Sequence, residues 1–99
     1  MEESISVRIS KKDLKEIKFL SDEERKKRSD VLRDVINEGI MKRKLDLALR
    51  RFQNNEATAS KAASIAGIPL TLFLDVLSQR KIEFHYDLEE LREDFKDLL

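Results

Sequence analysis

Ser4, Ser6 and Arg8 carry the clearest chemistry in this chain. They alternate with Ile5, Val7 and Ile9, so an extended backbone would turn two hydroxyls and a guanidinium one way and three apolar side chains the other. Hydroxyl and guanidinium groups read base edges by hydrogen bonding, and a two-stranded antiparallel ribbon has the width of the DNA major groove. Ser4, Ser6 and Arg8 are therefore candidate base contacts. The densest cationic run, Arg25-Lys26-Lys27-Arg28, is followed directly by Ser29. Lys26, Lys27, Arg28 and Ser29 are candidate phosphate contacts; a solvated charged turn is the plainer meaning of such a run.

Other reactive chemistry is sparse. His85 is the one histidine and sits in a strand-like run without catalytic companions, so a structural role suits it better than catalysis. Glu90, Glu93, Asp94 and Asp97 lie at helical spacing, but no calcium-loop pattern accompanies them, which leaves a solvated acidic face. Cysteine is absent, excluding disulfides and thiolate metal sites. No phosphate-binding glycine loop, nucleophile motif or zinc spacing occurs. The reading is of a non-enzyme with no cofactor and no metal.

The 99 residues have zero formal net charge, unevenly distributed. Residues 1–44 carry 13 basic and 10 acidic side chains, residues 45–80 carry 4 and 3, and residues 81–99 carry 3 and 7. A mildly basic front and an acidic end imply two different partners. The opening Met-Glu-Glu-Ser lacks the layout of a secretory signal, and the longest mostly apolar stretch, residues 65–77, contains Pro69 and Asp75. A cytoplasmic protein with no membrane partner is expected.

The elements that position these groups follow from periodicity. Residues 4–10 read as one strand with no comparable run for about seventy residues, so its unpaired backbone would need a second copy of the chain. An amphipathic strand in a monomeric α+β domain is the alternative, and it lacks a nearby partner strand. Ser10 suits the N-cap of a helix carrying Leu14, Ile17 and Leu20. A charged connector leads to a second helix with Val31, Leu32, Val35, Ile36 and Ile40 on one stripe.

Strand, helix, charged turn and helix in about forty residues resembles the ribbon-helix-helix family of DNA-binding proteins, through Ile5-Ser-Val-Arg-Ile-Ser10, the Leu14/Ile17/Leu20 stripe and Arg28-Ser29-Asp30-Val31-Leu32. The resemblance implies a homodimer whose core is Ile5, Val7, Ile9, Leu14, Ile17, Leu20, Val31, Leu32, Val35 and Ile36. It also implies outward strand residues on the bases of double-stranded operator DNA and the start of the second helix on a phosphate. Arg25 stands where that family often has a turn glycine, and Lys27 where it often has a capping hydroxyl.

Beyond Gly39, a stripe of Leu45, Ala48, Leu49 and Phe52 restarts a helix, and Asn54-Asn55-Glu56 reads as a turn. Thr58 or Ser60 could cap a short alanine-rich helix that Gly67-Ile68-Pro69 ends, and residues 70–80 form another. This is the layout of a helix-turn-helix unit. Its second helix, crowded with Leu70, Leu72, Phe73, Leu74, Val76 and Leu77 and bearing Asp75, suits burial or protein binding better than a DNA groove. Ile82, Phe84 and Tyr86 then alternate as a short strand. A last helix follows, with the stripe Leu88, Leu91, Phe95 and Leu98.

Residues 45–99 resemble the UPF0175 group of small predicted antitoxins, through Ala48-Leu-Arg-Arg-Phe52, Thr58-Ala-Ser-Lys-Ala-Ala-Ser-Ile-Ala-Gly67 and Phe73-Leu-Asp-Val-Leu77. That resemblance implies pairing with a protein toxin of the PIN-domain RNase class. The expected fold is mainly α. A ribbon-helix-helix dimerisation and DNA-binding domain spans 1–44, a helix-turn-helix-like region 45–80 and an acidic partner-binding segment 81–99. The expected function is that of a type II antitoxin that represses its operon and neutralises its toxin, with Phe84, Tyr86, Leu88, Leu91 and Phe95 as toxin contacts. The alternative is a stand-alone ribbon-helix-helix regulator whose C-terminal half serves oligomerisation or effector sensing.

Overall fold

The computed structural model describes residues 2–83. The described residues form four helices: α1 (Lys11–Glu24), α2 (Arg28–Gln53), α3 (Ala59–Ala66) and α4 (Leu70–Gln79). The chain divides into two compact units, one over Met1–Glu38 and the other from Gly39 onward.

The strand expected over residues 4–10, and with it the ribbon-helix-helix fold, is not formed: no strand occurs among the described residues. A strand is defined by its ladder, and an alternating pattern supplies faces, not a partner. Residues 2–9 pair with no other run among the described residues, and they stay exposed and outside any helix. At the other end, Ile82 and Glu83 are likewise in no strand; Phe84, Tyr86 and the last helix lie outside the described residues.

In the N-terminal unit, α1 starts where Ser10 caps it, its Oγ accepting from the Asp13 N–H at 3.0 Å. Asp13 complements the positive end of the helix dipole. The helix stops at Arg25, which adopts the left-handed conformation (φ 55°, ψ 45°). Val31 near the start of α2 is 1% exposed, with Ile17 and Leu20 of α1 half-buried.

α2 runs without a break through Gly39 to Gln53, so the two stripes that flank the glycine belong to one helix. A Cβ built on Gly39 would meet nothing within 4 Å.

In the C-terminal unit, Thr58 caps α3, its Oγ1 accepting from Lys61 N–H at 3.2 Å. Gly67, at φ 73°, ends it. The Ile68 N–H reaches back to the Ala63 carbonyl at 3.1 Å, and Ile68 folds onto the core. Three residues later α4 leaves at 98° to α3, the geometry of a helix-turn-helix corner. Ala62, Ala63 and Ala66 of α3, Ala48 and Leu49 of α2, and Leu70, Phe73 and Leu77 of α4 are buried together. Phe52 meets Phe73 edge to face with ring centres 5.8 Å apart. Small α3 residues let the large α4 side chains approach closely. No single helix among the described residues is long and apolar enough to cross a membrane; α3 and α4 reach that composition only as a bent pair.

All four helices end alike. The residue at each stop has positive φ: Arg25 (55°), Asn55 (60°), Gly67 (73°) and Lys81 (56°). The following N–H then bonds five residues back: Lys26 to Ser21 at 3.1 Å, Glu56 to Arg51 at 2.8 Å, Ile68 to Ala63 at 3.1 Å and Ile82 to Leu77 at 2.9 Å. Glycine and asparagine take this conformation readily, while arginine and lysine do so against a Cβ clash.

Candidate functional site

Ser4, Ser6 and Arg8 lie exposed in the extended segment before α1. Their apolar alternates are exposed too, Ile5 at 88% and Val7 at 73%, with Ile9 also open to solvent. Of the remaining candidate dimer-core residues, Val31 is buried and Ile17 and Leu20 are half-buried, whereas Leu14, Leu32, Val35 and Ile36 are exposed. Phe19 adds another exposed ring. Leu32, Val35 and Ile36 fall at i, i+3 and i+4 on α2, so they line one face.

The structure divides the cationic run by role. Arg25 forms the left-handed stop of α1, and the hydroxyl of Ser21 donates to the Lys26 carbonyl to brace that turn. Lys26 Nζ lies 3.0 Å from Asp34 Oδ2. The hydrogen bond to Asp34, reinforced by that carboxylate's charge, holds the ammonium pKa above its ordinary value. Lys26 is thus already matched by a carboxylate, and Lys27, Arg28 and Ser29 remain exposed at the opening of α2. Asp30 occupies the same first turn, with Arg33 Nη1 at 4.0 Å from its Oδ1. A phosphate here would meet Lys27 and Arg28 but also one carboxylate.

In the C-terminal unit, α4 turns Thr71, Leu72, Asp75, Ser78 and Gln79 to solvent. Leu72, crowded among burying residues in the sequence, is instead an outward apolar group. A carboxylate at the middle of this face and no cation before Arg80 make it a poor match for DNA.

Sequence reading overlooked a cationic cleft in this unit. Its volume is about 770 Å³, and Lys42, Arg43 and Arg50 of α2 line it together with Arg80 just after α4. Leu49 and Ile82 supply apolar lining. Asp46, also in the cleft, lies 4.0 Å from the Arg80 guanidinium. Arg43 and Arg50, seven residues apart, share a side of α2 by spacing alone. Arg80 joins them only through the fold, so no sequence window contains the site. Among the described residues there is no cluster of three metal-ligating side chains. The candidate toxin contacts Phe84, Tyr86, Leu88, Leu91 and Phe95 lie outside the described residues, as does His85.

Residues 1–99 match the model of an uncharacterised protein family, UPF0175. A UPF0175 protein of Aeropyrum pernix is 38% identical over 53 residues, which make up 54% of this chain and 60% of that relative's length. No solved structure matches.

Proposed function

The chain belongs to the UPF0175 family, and from that membership we propose that it is the antitoxin of a type II toxin–antitoxin pair, acting by binding and not by catalysis. Two copies associate through the N-terminal unit and hold operator DNA, while the C-terminal segment neutralises a protein toxin of the PIN-domain RNase class.

One observation supports this reading most. In a single chain the N-terminal unit leaves Ile5, Val7, Ile9, Leu14, Phe19, Leu32, Val35 and Ile36 exposed. Moving such a side chain out of water stabilises by about 1.5–3 kcal/mol. A unit of fewer than about 40 residues, with no cysteine to staple it, ordinarily needs a second subunit to complete its core. A two-fold dimer would present the cations twice, matching the symmetry of a palindromic operator. Arg8 is then the guanine-reading residue, flanked by Ser4 and Ser6. Lys27, Arg28 and Ser29 supply phosphate contacts, with Lys26 secondary because of Asp34.

Every residue of the buried apolar cluster lies from Gly39 onward, which supports a division of labour between the units. The toxin contacts are Phe84, Tyr86, Leu88, Leu91 and Phe95, which offer aromatic anchors and an apolar stripe. Co-expression with the protein encoded next to this chain tests the reading. The full chain should relieve toxicity, and a chain stopped after Glu83 should bind the upstream DNA yet give no relief. DNA binding without any rescued toxin would favour the stand-alone regulator instead. Arg8→Ala should cost about 1–3 kcal/mol of operator affinity and relax specificity.

A further inference from the structure

We propose that the cationic cleft of the C-terminal unit is a docking site for the acidic C-terminal segment of the same chain, residues 84–99. The inference stands apart from the toxin reading, since it rests on the cleft and on charge. Arg80 lies beside Asp46, but Lys42, Arg43 and Arg50 have no ion-pair partner among the described residues. Leu49 and Ile82 line the same cleft. A matching occupant brings carboxylates and apolar groups together. Duplex DNA brings charge but nothing for the apolar lining, and single-stranded nucleic acid needs aromatic platforms, which the cleft lining does not contain.

Residues 84–99 have that composition. They hold Asp87, Glu89, Glu90, Glu93, Asp94 and Asp97 against Arg92 and Lys96, interleaved with Phe84, Leu88, Leu91 and Phe95. The segment also starts at the cleft. Ile82 is part of the lining and is held there by its N–H to the Leu77 carbonyl at 2.9 Å, so only Glu83 separates the two. A tether that short gives an effective concentration of about millimolar or more, favouring the chain's own segment over that of another copy. Any partner that takes residues 84–99 must first draw them from the cleft, which lowers its apparent affinity by the undocked fraction.

The chain has no cysteine, so a nitroxide on Gln53→Cys, at the cleft wall, reports the docked segment by NMR in the full chain. At low salt the amide signals of residues 84–99 should lose intensity. The loss should reverse in about 1 M salt, where the Debye length falls to about 3 Å. It should also reverse in Arg43→Glu/Arg50→Glu, and in the tail variant Glu90→Gln/Glu93→Gln/Asp94→Asn should that cleft variant misfold. Full intensity in the unaltered chain at low salt overturns the proposal, as does a loss indifferent to salt and to both variants. Attenuation confined to a mixture of spin-labelled and isotope-labelled chains would assign the cleft to a second copy. Duplex DNA that binds through Arg43 and Arg50 while the tail signals stay unattenuated would assign it to nucleic acid. Either result also overturns docking within one chain.

Discussion

The two compact units place their apolar residues on opposite sides of the solvent boundary. Among the described residues from Gly39 onward, nine apolar residues are buried in one cluster, and three large ones, Ile40, Met41 and Leu72, are exposed. In Met1–Glu38 the proportion inverts: Val31 is the buried apolar residue among those described, and eight large ones are exposed. Helices form in both units among the described residues, so local propensity does not separate them. The difference lies in what each helix has to pack against. The C-terminal unit closes its core with three helical segments of its own, while the N-terminal unit supplies faces without a cover. The first buries its apolar residues within itself, and the second leaves them open, as the proposed dimer requires.

The largest effect should come from emptying the closed core. Phe73 is fully buried against Phe52 and the α3 alanines, so Phe73→Ala should destabilise the C-terminal unit by about 3–5 kcal/mol in urea unfolding followed by circular dichroism. Amide signals of residues 11–24 should persist through that loss. If they vanish together with those of α4, the units are not energetically separate.

Next in size is a charge on the open face. Ile36 is exposed in one chain, so Ile36→Lys would be nearly neutral for a monomer. For a shared core it should weaken association by about 2 kcal/mol or more, read as a rise in the dimer dissociation constant.

The contrast between the units also governs how legible each was from sequence. Gly67-Ile68-Pro69 announced the α3 stop because glycine, an apolar follower and proline each have a local reason to be there, and Ser10 announced α1 in the same way. The core stripe of Leu45, Ala48, Leu49 and Phe52 was readable because its covering helices lie in the same chain. Residues 4–10 were misread as a strand because alternation reports a pattern of faces, whereas a strand also needs a neighbour. Gly39 was ambiguous, since a glycine in open space inside a helix and one at a helix boundary look the same in sequence. The end of α4 was legible in the span 70–80, whereas Arg25 marked the α1 stop only as the position of a family turn glycine, since arginine itself does not signal a left-handed turn. The cationic cleft was invisible because Arg80 meets Arg43 and Arg50 only after folding.

Two smaller effects sharpen the account of α1 and α2. Arg25→Gly relieves a left-handed non-glycine and should stabilise the N-terminal unit by about 1 kcal/mol in thermal unfolding. Gly39→Ala, with open space around the added methyl, should stabilise α2 by about 1 kcal/mol. A loss in the second case would place another surface tightly against Gly39 and extend the shared interface along α2.

The smallest effect concerns pH. The Lys26 ammonium is held above its ordinary 10.5 by Asp34, so its pairing contributes in full below that value. The contribution is lost as pH rises through the raised pKa. Lys26→Met should flatten this alkaline decline in a pH series of melting temperatures, and an unchanged slope would mean the pair adds nothing.

Analytical ultracentrifugation of the full chain at micromolar concentration tests most directly whether the N-terminal unit is made to be shared. The account predicts the mass of two chains, with a thermal midpoint that rises as protein concentration rises. A monomer at that concentration, with α1 and α2 folded by NMR and a midpoint independent of concentration, would contradict it.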